Sequence, residues 1–485
     1  MRIFSLLSLL LLSSFGYTQN SCPCKQELDF VVDYYEKNLP GYADNVYAET
    51  QDDYNTLKNN LRNEAQQAID AVHCFKLLTY YVEFFKDNHS QIRMSSDNVD
   101  ENNEAEVAAF LASEMYQNRE TYELTPQDLK EYPLDDVRGT YVINGGSYTV
   151  AVVPNKGVLR DYIGVIIASE SKLWKKGQVK FELKSKKDGN FEAFTYLRNH
   201  SLRYSYNYTF KDGILGDIWF KKNLENKVNY AINPDRQYEF QVVRDSVAYI
   251  RIPSFSGSRT AIIDSLYDVA KPQIGQKEYL IIDVRDNGGG SDNNAMPLLD
   301  YIYTGPIQGD KVDLYVTEDN IKMWERWHAN AKKDTANYSK GMVNWFANEI
   351  AKMKKAKPGT FIPRSKGRKM RRKAKPGRVQ KVAVIFNKNC ASSCESLLFW
   401  AMQSDKTLLV GENSGGYVGY GEMGSVKTPC YEFTLSCTMT RYQKQRAYEA
   451  DGIPPDFRLD NSTDWISQTI ELLARDIDIK TLHAN

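Results

Sequence analysis

Apolar positions recur with helical spacing at the start of the chain, alternate in its middle, and form short continuous runs in its second half. Leu28, Val31, Val32 and Tyr35 share one helical face, and Leu39-Pro40-Gly41 ends that helix. A longer helical pattern from Asn55 to Phe85 places Leu57, Leu61, Ala65, Ile69, Val72 and Phe75 together. It runs out in a turn, Lys86 to Arg93, that leads towards a strand and puts His89 at an element boundary. Ser96 to Glu106 is polar and reads as a loop. From about Asp135 to Lys222, segments such as Tyr148–Val153 and Tyr162–Ile167 alternate between turns rich in Gly, Asn and Lys, predicting antiparallel strands.

From about Tyr238 the pattern becomes α/β. Val247–Ile252 predicts a strand, Thr260–Lys271 a helix, and Tyr279–Val284 a strand that opens into Arg285-Asp286-Asn287-Gly288-Gly289-Gly290. Residues 306–378 interrupt this with a helical, lysine-rich insertion. Val382–Phe386 resumes the strands, a polar turn follows, and apolar residues return at helical spacing from Glu395 before a strand at Thr407–Val410. Tyr431–Tyr442 reads as a strand or hairpin arm, and Thr463–Arg475 as a closing helix. The expected divisions are a helical region at 22–130, an antiparallel β domain at 135–235, an α/β core at 238–462 and a C-terminal helix and tail at 463–485.

Composition narrows the function classes. Lys+Arg and Asp+Glu both total 62, so net charge makes no case for nucleic acid or a membrane surface. The basic run Lys366–Lys373 lies between prolines and reads as a solvated loop. Residues 1–18 have a basic n-region at Arg2 and an apolar run at Ile3–Leu12, the pattern of a signal peptide. An exported protein, periplasmic or extracellular, without a transmembrane segment is expected. Export permits disulfides, and seven cysteines (22, 24, 74, 390, 394, 430, 437) leave at least one unpaired within the chain. Cys430 and Cys437 flank a strand-like segment and could clip it locally. No cysteine pair has zinc-ligand spacing with a histidine nearby, so neither metal nor cofactor is expected.

The candidate chemistry centres on Cys390-Ala391-Ser392-Ser393-Cys394-Glu395, where a strand hands over to a helix. A serine there is an ordinary N-cap. It also lies among unpaired backbone N–H groups that can hold a developing oxyanion. The glycine triplet at 288–290 brings bare N–H groups to the end of a neighbouring strand, and no Gly-Lys-Ser/Thr follows to make it a phosphate loop.

Lys86-Asp87-Asn88-His89-Ser90, Leu280 to Gly290, Ser392-Ser393-Cys394-Glu395, and Glu449 through Gly452-Ile453-Pro454-Pro455-Asp456 fall in an order that resembles the tail-specific, or carboxy-terminal processing, serine protease family. The resemblance covers about 25–95 and 240–460; the β-rich 135–222 differs from the PDZ domain of many members. It implies an α/β core of the ClpP/crotonase-like type, with Ser392 as nucleophile and Ser393 the lesser choice. The amides of Ser393 and of Gly288 or Gly289 would form the oxyanion hole. Members that use a lysine base carry it after Gly-Glu; here Tyr417 stands at that place, and a phenol with pKa about 10 is a poor base near neutral pH. The resemblance is thus nearer the tricorn-like branch, which implies His89 as base and Glu449 as the acid that orients it. Lys427 and Lys444 are the other cations that could act as bases if the fold brought them near Ser392.

Two classes of function compete on these residues. One is an exported serine-type peptidase acting on peptides or unfolded proteins through an acyl-enzyme. The other is a catalytically silent peptide- or lipid-binding protein on the same fold. A third reading makes Cys390 or Cys394 the reactive group.

Overall fold

The computed structural model describes residues 23–482, apart from 95–96, 158–159, 188, 225–237, 336–337, 374–376 and 461–462. The leader at 1–18 and the end of the β region at 225–235 lie outside the described residues.

The first helix, Cys24–Asn38, buries Leu28, Val31, Val32 and Tyr35. Pro40 does not simply end it: Pro40 starts a short helix, Pro40–Asn45, where its missing N–H has no intrahelical role. The long helical pattern divides into Gln51–Ala65 and Ala71–Glu83. Asp70 causes the break by capping the second helix, its Oδ1 accepting the His73 N–H at 2.7 Å. Ile69, expected on the apolar face, falls in the break and is 88% exposed. Within the expected polar loop, Asn103 caps a helix at Glu104–Ala112.

The alternating segments form one nine-stranded antiparallel sheet over residues 139–221. It is distinct in sequence but not packed apart. Its Val150 and Phe181 share a hydrophobic core with Phe75 and Tyr81 of the helices and with Phe433 and Leu435 from late in the chain. A buried ion pair, Lys76 Nζ to Glu182 at 2.5 Å, crosses the same junction.

The second half is a six-stranded sheet in the order Glu239–Arg244, Val247–Arg251, Tyr279–Asp283, Lys381–Phe386, Thr407–Gly411, Phe457–Arg458. The first pair is antiparallel and the others are parallel. Both faces are covered, which explains why the central strands are continuous apolar runs rather than alternating ones. Leu280 and Ile282 pack on the side of helices Thr260–Ile274 and Ser393–Ala401. Ile281 packs on the other side, against Trp465, Leu472 and Leu473 of helix Trp465–Ala474. Each fully buried aliphatic side chain of this kind contributes about 1.5–3 kcal/mol.

The lysine-rich insertion is helical only in its middle. Helices Glu318–Lys333 and Lys340–Lys355 form a hairpin around Trp324, Ile350 and Met353. Strands Lys311–Val316 and Thr360–Lys366 flank it and pair with each other. The 431–442 stretch splits likewise: Thr434–Cys437 pairs with Ile92–Arg93, and Thr440–Tyr442 with Lys311–Val316.

Cys24 is bonded to Cys74, and Cys390 to Cys394. The expected Cys430–Cys437 clip is not formed: Cys430 is in a disulfide, whereas Cys437 is a free thiol buried in the core shared by the helices and the nine-stranded sheet. No helix among the described residues is long and apolar enough to cross a membrane.

Candidate active site

Parallel register assembles the site. Asp283 stands opposite Ile385, and Phe386 opposite Gly411, so the loops that follow these three strands emerge side by side. Crevices at the carboxyl ends of parallel strands are the usual ligand sites of such sheets. The Ala391 N–H donates to the Asn287 carbonyl at 3.0 Å, joining the glycine loop to the serine turn.

Ser392 is the N-cap of helix Ser393–Ala401, with φ 57° and ψ −119°. That is the backbone of the first central position of a type II′ turn, which favours glycine. A non-glycine residue there carries about 1–3 kcal/mol of strain and is found mostly at functional sites. Gly289 makes room for it. A Cβ at Gly289, whose φ is +88°, would lie 2.5 Å from the Ala391 carbonyl oxygen and 2.9 Å from the Ser392 Cβ. Glu395 completes the turn from the helix side. Its Oε2 accepts the N–H of Ser392 at 2.9 Å and of Tyr417 at 2.8 Å. Its Oε1 accepts the Ser414 hydroxyl at 2.6 Å and the Gly416 N–H at 2.8 Å. Burial pushes the Glu395 carboxyl pKa up, and these four donors oppose the shift.

The oxyanion candidates separate. The Gly289 N–H donates to Asn287 Oδ1 at 2.9 Å, while Asn287 Nδ2 donates to the Ile252 carbonyl at 2.9 Å. Gly289 therefore has its amide occupied. Gly288 is exposed, and a Cβ there would meet open space. Ser393 is the first residue of its helix, a position whose N–H has no intrahelical acceptor.

His89 arrives from the other half of the molecule. The turn after helix Ala71–Glu83 is held by Asp87, fully enclosed. Asp87 Oδ1 accepts the His89 N–H at 3.1 Å, and Oδ2 accepts the Ser90 and Thr438 hydroxyls at 2.7 and 2.6 Å. The His89 ring lies edge-on to Tyr417, centroids 5.4 Å apart. Its Nδ1 is buried without a hydrogen-bond partner. Burial lowers the imidazole pKa below the ordinary value, against the upward pull of the Asp87 and Glu422 carboxylates. Glu395 thus links the two halves, gripping the Ser392 amide and the backbone of the residue against which His89 packs.

Glu449 lies beside the same turn, but its hydrogen bonds go to backbone. Oε1 accepts the Asn88 N–H at 2.9 Å, and Oε2 accepts those of Val418 at 2.9 Å and Gly419 at 2.5 Å. Burial, and then the neighbouring Asp87, push the Glu449 pKa well above the usual carboxylate range despite these donors. Asn88 Nδ2 donates to the carbonyls of Gly415 and Gly416, closing the 415–419 loop onto the histidine turn. The other base candidates stand differently. Burial raises the Tyr417 phenol pKa further above 10. The Lys427 ammonium donates within its own hairpin to Glu432 and Thr434, both at 3.0 Å. Cys390 and Cys394 are bonded to each other, which removes the free thiol that a cysteine nucleophile needs. The nine-stranded sheet reaches this site as well. Lys388, four residues before Ser392, pairs with Asp217 at 2.5 Å and donates to Thr209 at 3.0 Å.

Sequence reasoning overlooked Asn287, Asn88 and Asp87, and used Glu395 only to set the register of a motif. The Glu395 signal was present as Ser-x-x-Glu, the capping-box spacing.

Residues 246–459 match the model of peptidase family S41. No curated protein matches the sequence. Among solved structures, mature CPAF complexed with lactacystin is similar over 90% of this chain and 93% of that one, at 14% identity and a TM-score of 0.47. The photosystem II D1 C-terminal processing protease is similar over 94% and 98%, at 12% identity and a TM-score of 0.35. The tricorn protease is similar over 95% of this chain and 37% of that one, at 11% identity and a TM-score of 0.34.

Proposed function

We propose that the protein is an exported serine-type peptidase with Ser392 as nucleophile and His89 as general base. The observation that carries this reading is the Ser392 backbone: an ordinary cap has no need of φ 57°, ψ −119°. The neutral imidazole of His89 takes the Ser392 proton as Oγ attacks a peptide carbonyl. The oxyanion is received by the amides of Ser393 and Gly288, with Gly289 serving to let the two loops meet. His89 returns the proton to the leaving amine, and water then hydrolyses the acyl-enzyme by the same route. Glu449 orients His89 through the Asn88 backbone rather than by pairing with the ring. In this reading the core is of the ClpP/crotonase-like type and the substrate is a peptide or an unfolded protein chain. The apolar leader and disulfides such as Cys24–Cys74 and Cys390–Cys394 suit an oxidising compartment. Turnover of an unfolded protein by wild type, with loss in Ser392→Ala and retention in Ser393→Ala, tests the assignment.

One observation favours the second reading, a peptide- or lipid-binding protein without turnover. Both Glu449 oxygens are taken by backbone amides, so this carboxylate does not fix the imidazole directly. Binding of unstructured peptides with no turnover in wild type would select it.

A further inference from the structure

Ser392 lies inside a five-residue loop closed by a covalent bond. Cys390 and Cys394 are joined, with Ala391, Ser392 and Ser393 between them. Both cysteines are fully buried. The strand side of the loop is anchored where the Cys390 carbonyl accepts the Gly415 N–H at 2.8 Å and its N–H donates to the Asn387 carbonyl at 2.8 Å. The helix side is the first turn of Ser393–Ala401, where the Cys394 N–H donates to the Ala391 carbonyl at 3.1 Å.

Other helices of this protein are capped without such a bond. Asp70, Thr317 and Ser339 cap theirs with φ of −155°, −139° and −69°, in extended backbone that any residue adopts. Ser392 alone among these four caps has a positive φ, and it alone is bracketed by a disulfide. Strained backbone persists only where the surroundings over-determine it. The hydrogen bonds that the Ala391 and Ser392 N–H groups donate to the Asn287 carbonyl and the Glu395 carboxylate are two restraints, and the disulfide is a third that a bound substrate or a breathing helix end cannot displace.

We infer that the Cys390–Cys394 disulfide is a positioning element for Ser392, holding the positive-φ turn that aims the hydroxyl and the Ser393 amide at one point. The inference rests on the peptidase reading above. A dithiol reductant passing two electrons and two protons to the bond yields the Cys390 and Cys394 thiols and the reductant's own disulfide. The turn then relaxes towards an ordinary extended cap, and Ser392 loses its aim while contacts to a substrate elsewhere in the cleft are kept.

The test is the Cys390→Ala/Cys394→Ala double variant, read by the rate of fluorophosphonate labelling at Ser392 and by kcat and KM on a peptide. Labelling rate and kcat should fall roughly a hundredfold, the size of effect that a 1 Å misplacement produces, with KM unchanged. Cys24→Ala/Cys74→Ala, which removes the disulfide between helices Cys24–Asn38 and Ala71–Glu83, should lower the unfolding temperature without this loss. Labelling of the 390/394 variant at the wild-type rate overturns the inference. If that variant shows no cooperative unfolding transition, wild type is titrated with dithiothreitol and the reduced fraction of the 390–394 pair is followed by alkylation and mass. Labelling must then fall with that fraction, and unchanged labelling overturns the inference. No labelling of oxidised wild type sinks the peptidase reading, and this inference with it.

Discussion

The carboxylate of Glu449 accepts the backbone N–H of Asn88, 361 positions earlier in the chain, at 2.9 Å. Through that bond a loop near the C-terminus fixes the backbone immediately before His89. Two further amides, of Val418 and Gly419, converge on the same carboxylate. A Cβ at Gly419 would approach its Oε2 to 3.0 Å, so a larger residue there would press on the carboxylate.

Glu449→Ala leaves three amides without their acceptor. A buried donor left unpaired costs about 1–3 kcal/mol, so the variant should unfold at lower denaturant by about 2–4 kcal/mol, the upper range for single substitutions. Its labelling at Ser392 should slow as well. Glu449→Gln keeps one acceptor oxygen and should lose less of both. Denaturant melts of the two variants check the order.

The pH profile follows from the histidine. Protonated His89 cannot accept the Ser392 proton, so kcat/KM should fall as pH drops through its pKa. Burial lowers that pKa, which puts the midpoint of the acid limb below the ordinary histidine value of about 6.5. Asp87 pulls the pKa upward, so Asp87→Asn should move the midpoint to lower pH still. The sign for stability is the same. The folded state resists protonation more than the unfolded chain, so this group costs stability as pH falls below about 6.5, until the folded pKa is passed.

Two neighbouring glycines should respond differently. Gly289→Ala meets the Ala391 carbonyl at 2.5 Å and must hold φ +88°, so a loss of about 1–3 kcal/mol is expected, with labelling at Ser392 impaired. Gly288→Ala meets nothing within 4 Å and keeps its amide, so stability should be unchanged. Thermal melts of both variants decide this.

Alkylation separates the serine from the cysteines. Burial pushes the Cys437 thiol pKa well up, the neighbouring Asp87 adds to that shift, and the thiolate is the reactive form. Iodoacetamide should modify Cys437 only after unfolding and should leave the native activity intact.

Much of this was legible in the sequence, for physical reasons that can be named. The strands at 247–251, 279–283 and 381–386 are buried on both faces, so their apolar runs showed directly. The position of Ser392 at a strand-to-helix junction needed only local pattern. Long-range polar contacts were not legible. Glu395 is satisfied by Ser414, Gly416 and Tyr417, and Glu449 by Asn88, partners that only the folded sheet brings near. The Cys430–Cys437 expectation failed because proximity in sequence does not determine disulfide connectivity. The helix break at Asp70 was missed because one capping carboxylate outweighed an apolar periodicity that ran on through Ile69 to Val72 and Phe75.

The pairing of Ser392 with His89 is tested most directly by fluorophosphonate labelling, with the modified residue identified by mass spectrometry. Wild type should be labelled at Ser392, Ser392→Ala should not be labelled, and His89→Ala should react more slowly by roughly the 10²–10⁴-fold that a general base contributes. Labelling of His89→Ala at the wild-type rate, or label found on Ser393 in place of Ser392, would contradict the assignment.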